Sequence, residues 1–171
     1  MEAQITVLNP RHSVAKKQFQ SGNLALDTYL QQYALQDQKR LQSVCFVLEN
    51  KKGQILGYYT LSASAIDTRH LDSQVTAILA AKYEQIPAIL IGRFAIDQKF
   101  QRKGLGKLLL MDALKRCTKQ AEEMGACAVF VDPKDLVAKH FYLKFGFHAL
   151  PNQPKLFIPI KTLQKLFQAF D

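Results

Sequence analysis

The sequence predicts an α+β fold with a mixed, mostly antiparallel sheet flanked by helices, in one domain over residues 1–171. Short β-branched and aromatic runs alternate with apolar stripes at helical spacing, which predicts strands interleaved with helices. The nearly continuous apolar run at residues 88–96 predicts a central strand with no face open to water. The length fits one domain, and 48% hydrophobic with 22% charged residues excludes disorder and low-complexity arrays.

The remaining elements follow from local periodicity and from turn residues. In the N-terminal half they are a strand over residues 5–8, a helix after the turn at 21–23, and an antiparallel hairpin of strands 44–48 and 55–61. Residues 65–87 carry a broken helical pattern and predict a partly helical connection. In the C-terminal half they are a long helix from Gly104 to Gly125, a strand over 128–131, a helix over 136–144, a strand over 156–160 and a helix from Thr162.

The chain carries a large excess of positive charge, with 23 Lys and Arg against 14 Asp and Glu, for a net charge of +9. Such an excess attracts polyanions such as RNA and DNA, phosphorylated cofactors, or an acidic protein. A solvated basic surface with no such partner is an equally good interpretation of the charge alone.

The cysteines and histidines show no pattern of a disulfide framework or a metal site. Cys45, Cys117 and Cys127 are odd in number and lack C-x-x-C spacing, which favours a reducing compartment. The four histidines show no metal-ligand spacing, so no metal is expected. The N-terminus lacks a signal-like apolar stretch, and no run reaches the roughly 18 apolar residues of a membrane span. We therefore expect a cytoplasmic protein without a membrane partner.

The segment after the central strand combines glycines with basic residues at the start of the long helix. The first turn of a helix presents N–H groups and partial positive charge to an anion. Gly104 and Gly106 allow close approach of a phosphate, and Arg102, Lys103 and Lys107 add charge. The segment predicts a pyrophosphate site, although glycines that only allow helix–strand packing are an alternative. The absence of Gly-Lys-Ser/Thr and of a third glycine argues against a P-loop and a dinucleotide fingerprint.

A second segment, residues 138–147, predicts a short helix that ends in a glycine turn. Phe141 and Phe145 are spaced to pack inward, and Tyr142 lies one residue round from them. Taken alone, a tyrosine at this position is more often part of the core than catalytic.

Together the two segments resemble the GNAT superfamily of acyl-CoA-dependent N-acetyltransferases. The shared pattern is Q-x-x-G-x-G at 101–106 followed by F-Y-x-x-x-G-F at 141–147, and the order of elements agrees over about residues 44–148. The resemblance implies the GNAT fold, an α/β three-layer arrangement whose central strand pair splays apart. It also implies acetyl-CoA as the cosubstrate.

The resemblance implies the site residues as well. The pyrophosphate would be bound by Gln101, Arg102, Lys103, Gly104, Leu105, Gly106 and Lys107. The backbone of Phe94, Ala95 and Ile96 would pair with the pantetheine arm, and one N–H would polarise the thioester carbonyl. Tyr142 would protonate the departing thiolate, since a phenol with a pKa of about 10 is protonated at neutral pH.

Three further motifs resemble the toxin branch of the GNAT proteins, which belongs to type II toxin–antitoxin systems. They are F-x-S-G-N with L-D-x-Y-L at 19–30, G-Y-Y-T-L-S at 57–62, and I-G-R-F-A-I-D at 91–97. The branch implies acetylation of the α-amino group of aminoacyl-tRNA, which blocks translation. It also implies a ribbon-helix-helix antitoxin as partner and a homodimer. Pro133 stands where the branch more often has alanine, which bears on strand termination rather than on chemistry.

A tRNA substrate needs positive charge along a phosphate backbone. Arg93, Lys39 and Arg40 are the candidate contacts, together with the pair at 16–17, and solvated surface charge is the alternative for each. Arg93 is the strongest candidate, because a charge inside an apolar strand is costly unless it is paired or reaches a ligand. A structural ion pair is the alternative for Arg93.

No residue stands out as a general base. An α-amino group has a pKa near 8, so much of this substrate is already neutral and water can accept its proton. Two other functions fit parts of the pattern. One is a GNAT acetyltransferase that acts on a small amine or a protein amine, and the other is a non-catalytic acyl-CoA sensor or nucleic-acid-binding subunit.

Overall fold

The computed structural model describes residues 2–169 and contains a seven-stranded sheet in the order β1-β2-β3-β4-β5-β7-β6. The strands are β1 Ala3–Val7, β2 Val44–Asn50, β3 Ile55–Asp67, β4 Gln85–Ile96, β5 Ala128–Val131, β6 His148–Ala149 and β7 Leu156–Pro159. The pairs β1/β2, β2/β3, β5/β7 and β6/β7 are antiparallel. The predicted α+β class with a mostly antiparallel sheet is confirmed.

Seven α-helices accompany the strands in residues 2–169. They are α1 Ala15–Gln18, α2 Leu24–Thr28, α3 Ala34–Lys39, α4 Ser73–Leu79, α5 Leu105–Met124, α6 Leu136–Lys144 and α7 Ile160–Gln168. A π-helical turn, Tyr29–Tyr33, joins α2 to α3, and short 3₁₀ helices occupy Pro10–His12 and Gln98–Phe100. None of these helices is long and apolar enough to cross a bilayer.

The chain divides into two compact units, and β3, β4 and α5 each contribute residues to both. The first unit comprises Met1–Ser62 and Ile91–Ala113, and the second comprises Ala63–Leu90 and Leu114–Asp171. The prediction of a single domain over residues 1–171 stays a prediction.

In the first unit, apolar side chains of the N-terminal helices pack on β2, β3 and the end of β4. The buried cluster consists of Leu8, Phe19, Tyr29, Leu30, Ala34, Cys45, Val47, Ile55, Tyr58 and Ala95. A glycine is required where β3 passes β4, because a Cβ on Gly57 would lie 2.9 Å from the carbonyl oxygen of Ala95.

The second unit has its own core between α4 and the sheet. Its buried cluster consists of Ile66, Val75, Leu79, Ile86, Ala88, Ala128, Phe130, Leu150 and Phe157. The amide of Cys127 donates to the carbonyl of Pro87 at 2.9 Å, which ties the start of β5 to the start of β4.

Most predicted elements agree with the structure within a few residues, but three expectations need correction. The connection predicted over 65–87 contains the end of β3 and the first residues of β4 as well as α4, so both strands are longer than expected. The two-residue strand β6 and helix α1 were not predicted, because each is too short to show a period. The central strand β4 is also not closed to water throughout, since Gly92 and Arg93 are exposed.

The three cysteines are free thiols, and burial raises the pKa of Cys45 and of Cys117 to about 12. Within residues 2–169, no cluster of His, Cys, Asp and Glu side chains is suited to holding a metal ion.

Glu49 on β2 is a buried carboxylate, only 2% exposed, that fixes the N-terminal strand. Its oxygens accept from Gln4 Nε2 at 3.0 Å and from both terminal nitrogens of Arg11. His12 Nδ1 accepts from the amide of Asn9, so Nε2 carries the proton and donates to Glu49 at 3.2 Å. The hydrogen bond from Arg11 is the largest cause of a lowered pKa at Glu49.

We expect Glu49→Gln to lower the free energy of unfolding by about 2 kcal/mol, because Arg11 and His12 lose a charged acceptor. Because the folded-state pKa is lowered, this stabilisation is complete above the ordinary glutamate pKa of about 4.3 and is lost as the pH falls. Urea unfolding at pH 7 and pH 3.5 measures both effects. The exposed Glu123→Gln is the control, and equal losses for the two variants would contradict the prediction.

Candidate active site

Helix α5 begins without a side-chain cap, unlike α2, α4 and α6. The side chains of Asn23, Asp72 and Asp135 cap α2, α4 and α6 by accepting from backbone N–H groups at 3.2, 2.8 and 2.7 Å. At α5, the carbonyl of Gly104 accepts from the amide of Leu108 at 3.2 Å, so Gly104 occupies the cap position and has no side chain to offer. The N–H groups of the first turn are therefore left for a ligand.

The loop before α5 is open, basic and shaped by two left-handed residues. Arg102 has a φ of 61° and Gly104 has a φ of 79°. Left-handed residues alternating with ordinary ones turn successive N–H groups into a concave anion site. A Cβ on Gly104 would have no heavy atom within 4 Å, and Arg102, Lys103 and Lys107 are exposed. These residues fit a pyrophosphate in shape and in charge.

Leu105 and Gly106, the first two residues of α5, are half-buried and place their amides in this first turn. Gln101 supports the loop with its side chain. Its Nε2 donates to the carbonyls of Ser21 and Ile96, both at 2.9 Å. The side chain of Gln101 is occupied by these contacts, and binding of the pyrophosphate by Gln101 stays a prediction.

The N-terminal segment around Gln20 holds the start of the same loop. The amide of Gln20 donates to the buried carboxylate of Asp97 at 3.0 Å, and its carbonyl accepts from the amide of Gln98 at 2.8 Å. A Cβ on Gly22, whose φ is 92°, would lie 2.5 Å from the side chain of Gln98. The S-G-N motif therefore allows the N-terminal segment to pack closely against Gln98. The sequence pattern predicted only a turn there.

The three candidate residues for the pantetheine arm are consecutive at the end of β4. Ala95 is buried, whereas Phe94 and Ile96 on either side of it are half-buried. The next residue, Asp97, donates its amide to the carbonyl of Leu56 on β3 at 2.8 Å. Beneath them, Gly57 allows the side chains of Ile96 and Leu109 to approach β3 closely.

Tyr142 belongs to the second unit, on helix α6, and is only 5% exposed. Its ring lies 5.3 Å from that of Phe141 and 5.3 Å from that of Phe147, centroid to centroid. Burial raises the pKa of Tyr142 well above that of an ordinary phenol. The hydroxyl is therefore protonated over the whole physiological range, as a general acid requires.

The basic candidates Lys39 and Arg40 lie at the end of α3 and are exposed. Arg93 is exposed as well. The expectation that it is a costly charge inside an apolar strand is therefore wrong. The guanidinium instead lies over the ring of Tyr29, with Cζ 3.8 Å from the ring centroid. This contact was missed, although Tyr29 belongs to the L-D-x-Y-L motif.

Comparisons with known proteins agree with this arrangement. Residues 42–149 match the family model described as an acetyltransferase (GNAT) domain. The tRNA-acetylating toxin of Mycobacterium tuberculosis (strain ATCC 25618 / H37Rv) is 34% identical over 136 residues, which cover 80% of each chain.

Two solved structures of the toxin AtaT are similar over nearly the whole chain. AtaT complexed with acetyl-methionyl-tRNAfMet is 27% identical, with a TM-score of 0.87 and coverage of 97% of this chain and 99% of that one. A tyrosine-to-phenylalanine mutant of AtaT bound to acetyl-CoA and the C-terminus of the antitoxin AtaR is 25% identical, with a TM-score of 0.81 and coverage of 96% and 98%. The chain therefore belongs to the GNAT family of N-acetyltransferases, within its branch of tRNA-acetylating toxins.

Proposed function

We propose that this chain is a toxin that transfers an acetyl group from acetyl-CoA to the α-amino group of aminoacyl-tRNA and so blocks translation. The observation that carries the proposal is the start of α5, where amides without a side-chain cap and exposed cations form an anion site. Membership of the GNAT family supports the pyrophosphate of acetyl-CoA as this anion. The similarity to tRNA-acetylating toxins supports aminoacyl-tRNA as the acceptor of the acetyl group.

The loop from Arg102 to Lys107 binds the pyrophosphate through backbone amides, with the cations as electrostatic support. The backbone at Phe94, Ala95 and Ile96 binds the pantetheine arm, and an N–H there polarises the thioester carbonyl. Such a donor stabilises the charge that develops on the carbonyl oxygen and contributes roughly 10²–10³ in rate.

Transfer needs one C–N bond to form, one C–S bond to break, and two protons to move. The neutral α-amine attacks the carbonyl carbon, and water accepts the proton that the amine then loses. The hydroxyl of Tyr142 donates its proton to the sulfur as the thiolate leaves. Because burial raises the pKa of Tyr142, the phenolate regains a proton from water readily.

The acceptor is recognised through its phosphates. Lys39, Arg40 and Arg93 are exposed cations of the first unit and are the proposed contacts, within a chain of net charge +9. We also propose that the protein is a cytoplasmic homodimer, neutralised by a ribbon-helix-helix antitoxin. AtaT bound to the C-terminus of AtaR supports the antitoxin as partner.

Replacing Tyr142 by phenylalanine tests the proposed reaction. We expect wild-type expression without antitoxin to arrest growth, and Tyr142→Phe to relieve the arrest because kcat falls about 100-fold without the acid. Mass spectrometry of charged tRNA after incubation with acetyl-CoA measures the product directly. Tyr33→Phe, at an exposed tyrosine, is the matched control and should stay toxic.

If the wild type is harmless and leaves charged tRNA unmodified while acetylating small amines, the acceptor assignment is wrong. The pH dependence gives a second test of Tyr142. Because its pKa is raised, the protonated acid persists to higher pH, and kcat should not fall from loss of the acid below about pH 10. A fall near pH 8 that is absent in Tyr142→Phe would contradict this.

Substitution of Gly104 tests the pyrophosphate site. Gly104 and Gly53 share a left-handed φ, 79° and 76°, and open space around the missing Cβ. Alanine at either position should therefore lower the free energy of unfolding by a similar amount, about 1 kcal/mol. Only Gly104→Ala should also raise the KM for acetyl-CoA, because it distorts the amides that bind the pyrophosphate. Equal KM values in the two variants would refute the site.

Salt dependence tests the tRNA contacts at Lys39 and Arg40. Each phosphate contact that is lost should reduce the slope of log affinity against log salt by about 0.7–0.9. We expect the double variant Lys39→Ala/Arg40→Ala to reduce the slope for charged tRNA by about 1.5. The double variant Lys51→Ala/Lys52→Ala, in the exposed β2–β3 turn, is the control with the same change in charge. Similar slopes in both would show that Lys39 and Arg40 are solvated surface charges.

A further inference from the structure

An aromatic ring holds the guanidinium of Arg93 in place. Its guanidinium lies over Tyr29 at 3.8 Å from the ring centroid, which is within cation–π distance. Tyr29 is only 6% exposed, whereas Arg93 is exposed on β4. The buried ring of Tyr29 thus supports the solvent-exposed guanidinium of Arg93.

The ring of Tyr29 is itself fixed by two polar partners. Its hydroxyl donates to Oδ2 of Asp37 at 2.9 Å and lies 3.1 Å from Oγ of Ser43. Tyr29 also begins the π-helical turn between α2 and α3, a distortion that often marks functional sites. Burial is the largest cause of a raised pKa at Tyr29, so the hydroxyl remains a donor.

The backbone end of Arg93 is held by a buried hydroxyl. The amide of Arg93 donates to Oγ1 of Thr60 at 3.0 Å, and Thr60 on β3 is buried. A buried side-chain hydroxyl on β3 therefore accepts from β4 at this point. The backbone and the guanidinium of Arg93 are thus both held by buried groups of the first unit.

Stacking uses the flat face of a guanidinium and leaves its in-plane N–H donors for a bidentate contact with a phosphate. A long side chain held in this way loses less conformational entropy when it binds. Lysine lacks the planar face and cannot replace arginine in this contact.

We propose that Tyr29 is a positioning residue that holds Arg93 as a preformed receptor for a phosphate of the acceptor tRNA. The inference rests on the proposed function and assigns to that site a residue that does not touch the substrate. It also gives the L-D-x-Y-L and I-G-R-F-A-I-D motifs one joint purpose.

A double-mutant cycle between Tyr29 and Arg93 tests the inference. With charged tRNA as substrate, we expect Tyr29→Leu and Arg93→Ala each to raise KM about tenfold and to reduce the salt slope by about 0.7–0.9. The double variant should be no worse than either single variant, because both remove the same contact. The kcat at saturating tRNA and the KM for acetyl-CoA should stay unchanged.

Two further variants separate positioning from folding. Arg93→Lys keeps the charge at an exposed position, and we expect it to lose most of the affinity that Arg93→Ala loses. Tyr29→Phe keeps the ring and should stay within about threefold of the wild type. Tyr33→Leu replaces a tyrosine that is 50% exposed on the same turn and is the control for Tyr29→Leu.

Additive effects in the cycle, or full activity of Arg93→Lys, would overturn the positioning role of Tyr29. If the wild type still acetylates charged tRNA, the proposed function is unaffected by either result. A rise in the KM for acetyl-CoA equal to that for tRNA would show a general structural defect at Tyr29 and would also overturn it. A wild type that does not acetylate charged tRNA would overturn the proposed function, and this inference with it.

Discussion

The amides at the start of α5 are the constraint on which the active site depends. A helix begins with N–H groups that need acceptors, and this chain supplies side-chain acceptors at α2, α4 and α6. At α5 it places Gly104 in the cap position, so the amides of the first turn are open to water or to the proposed anion. In the proposed complex the ligand replaces water at these amides, and its binding would stabilise the folded loop.

The residues around that helix start are shaped by the same requirement. Arg102 adopts a left-handed conformation that is unfavourable for a side-chain-bearing residue, and such a conformation persists only where neighbours hold it. Hydrogen bonds fix the chain around it, and they join Asp97, Gln98 and Gln101 to the segment at 20–21 and to the end of β4. The N-terminal motif thus supports the loop of the proposed cofactor site.

Burial raises the pKa of both Tyr142 and Tyr29, but the two tyrosines have different proposed roles. At Tyr142 it raises the pKa and keeps a proton available for the leaving group. At Tyr29 it fixes the ring with its hydroxyl bonded to Asp37, so that the ring can hold the guanidinium of Arg93. In each case the surrounding apolar core places one polar group.

The sequence by itself determined the fold class, the central strand, the start of α5 and the candidate catalytic tyrosine, because periodicity, glycines and local motifs report on neighbours along the chain. It did not reveal that Gln101 supports the loop, that Arg93 is exposed, or that Tyr29 and Thr60 hold it. Those facts join residues more than thirty positions apart, as between Thr60 and Arg93. Only the tertiary structure decided them, because contacts between distant segments follow from how β3, β4 and the N-terminal helices pack, which no local pattern encodes.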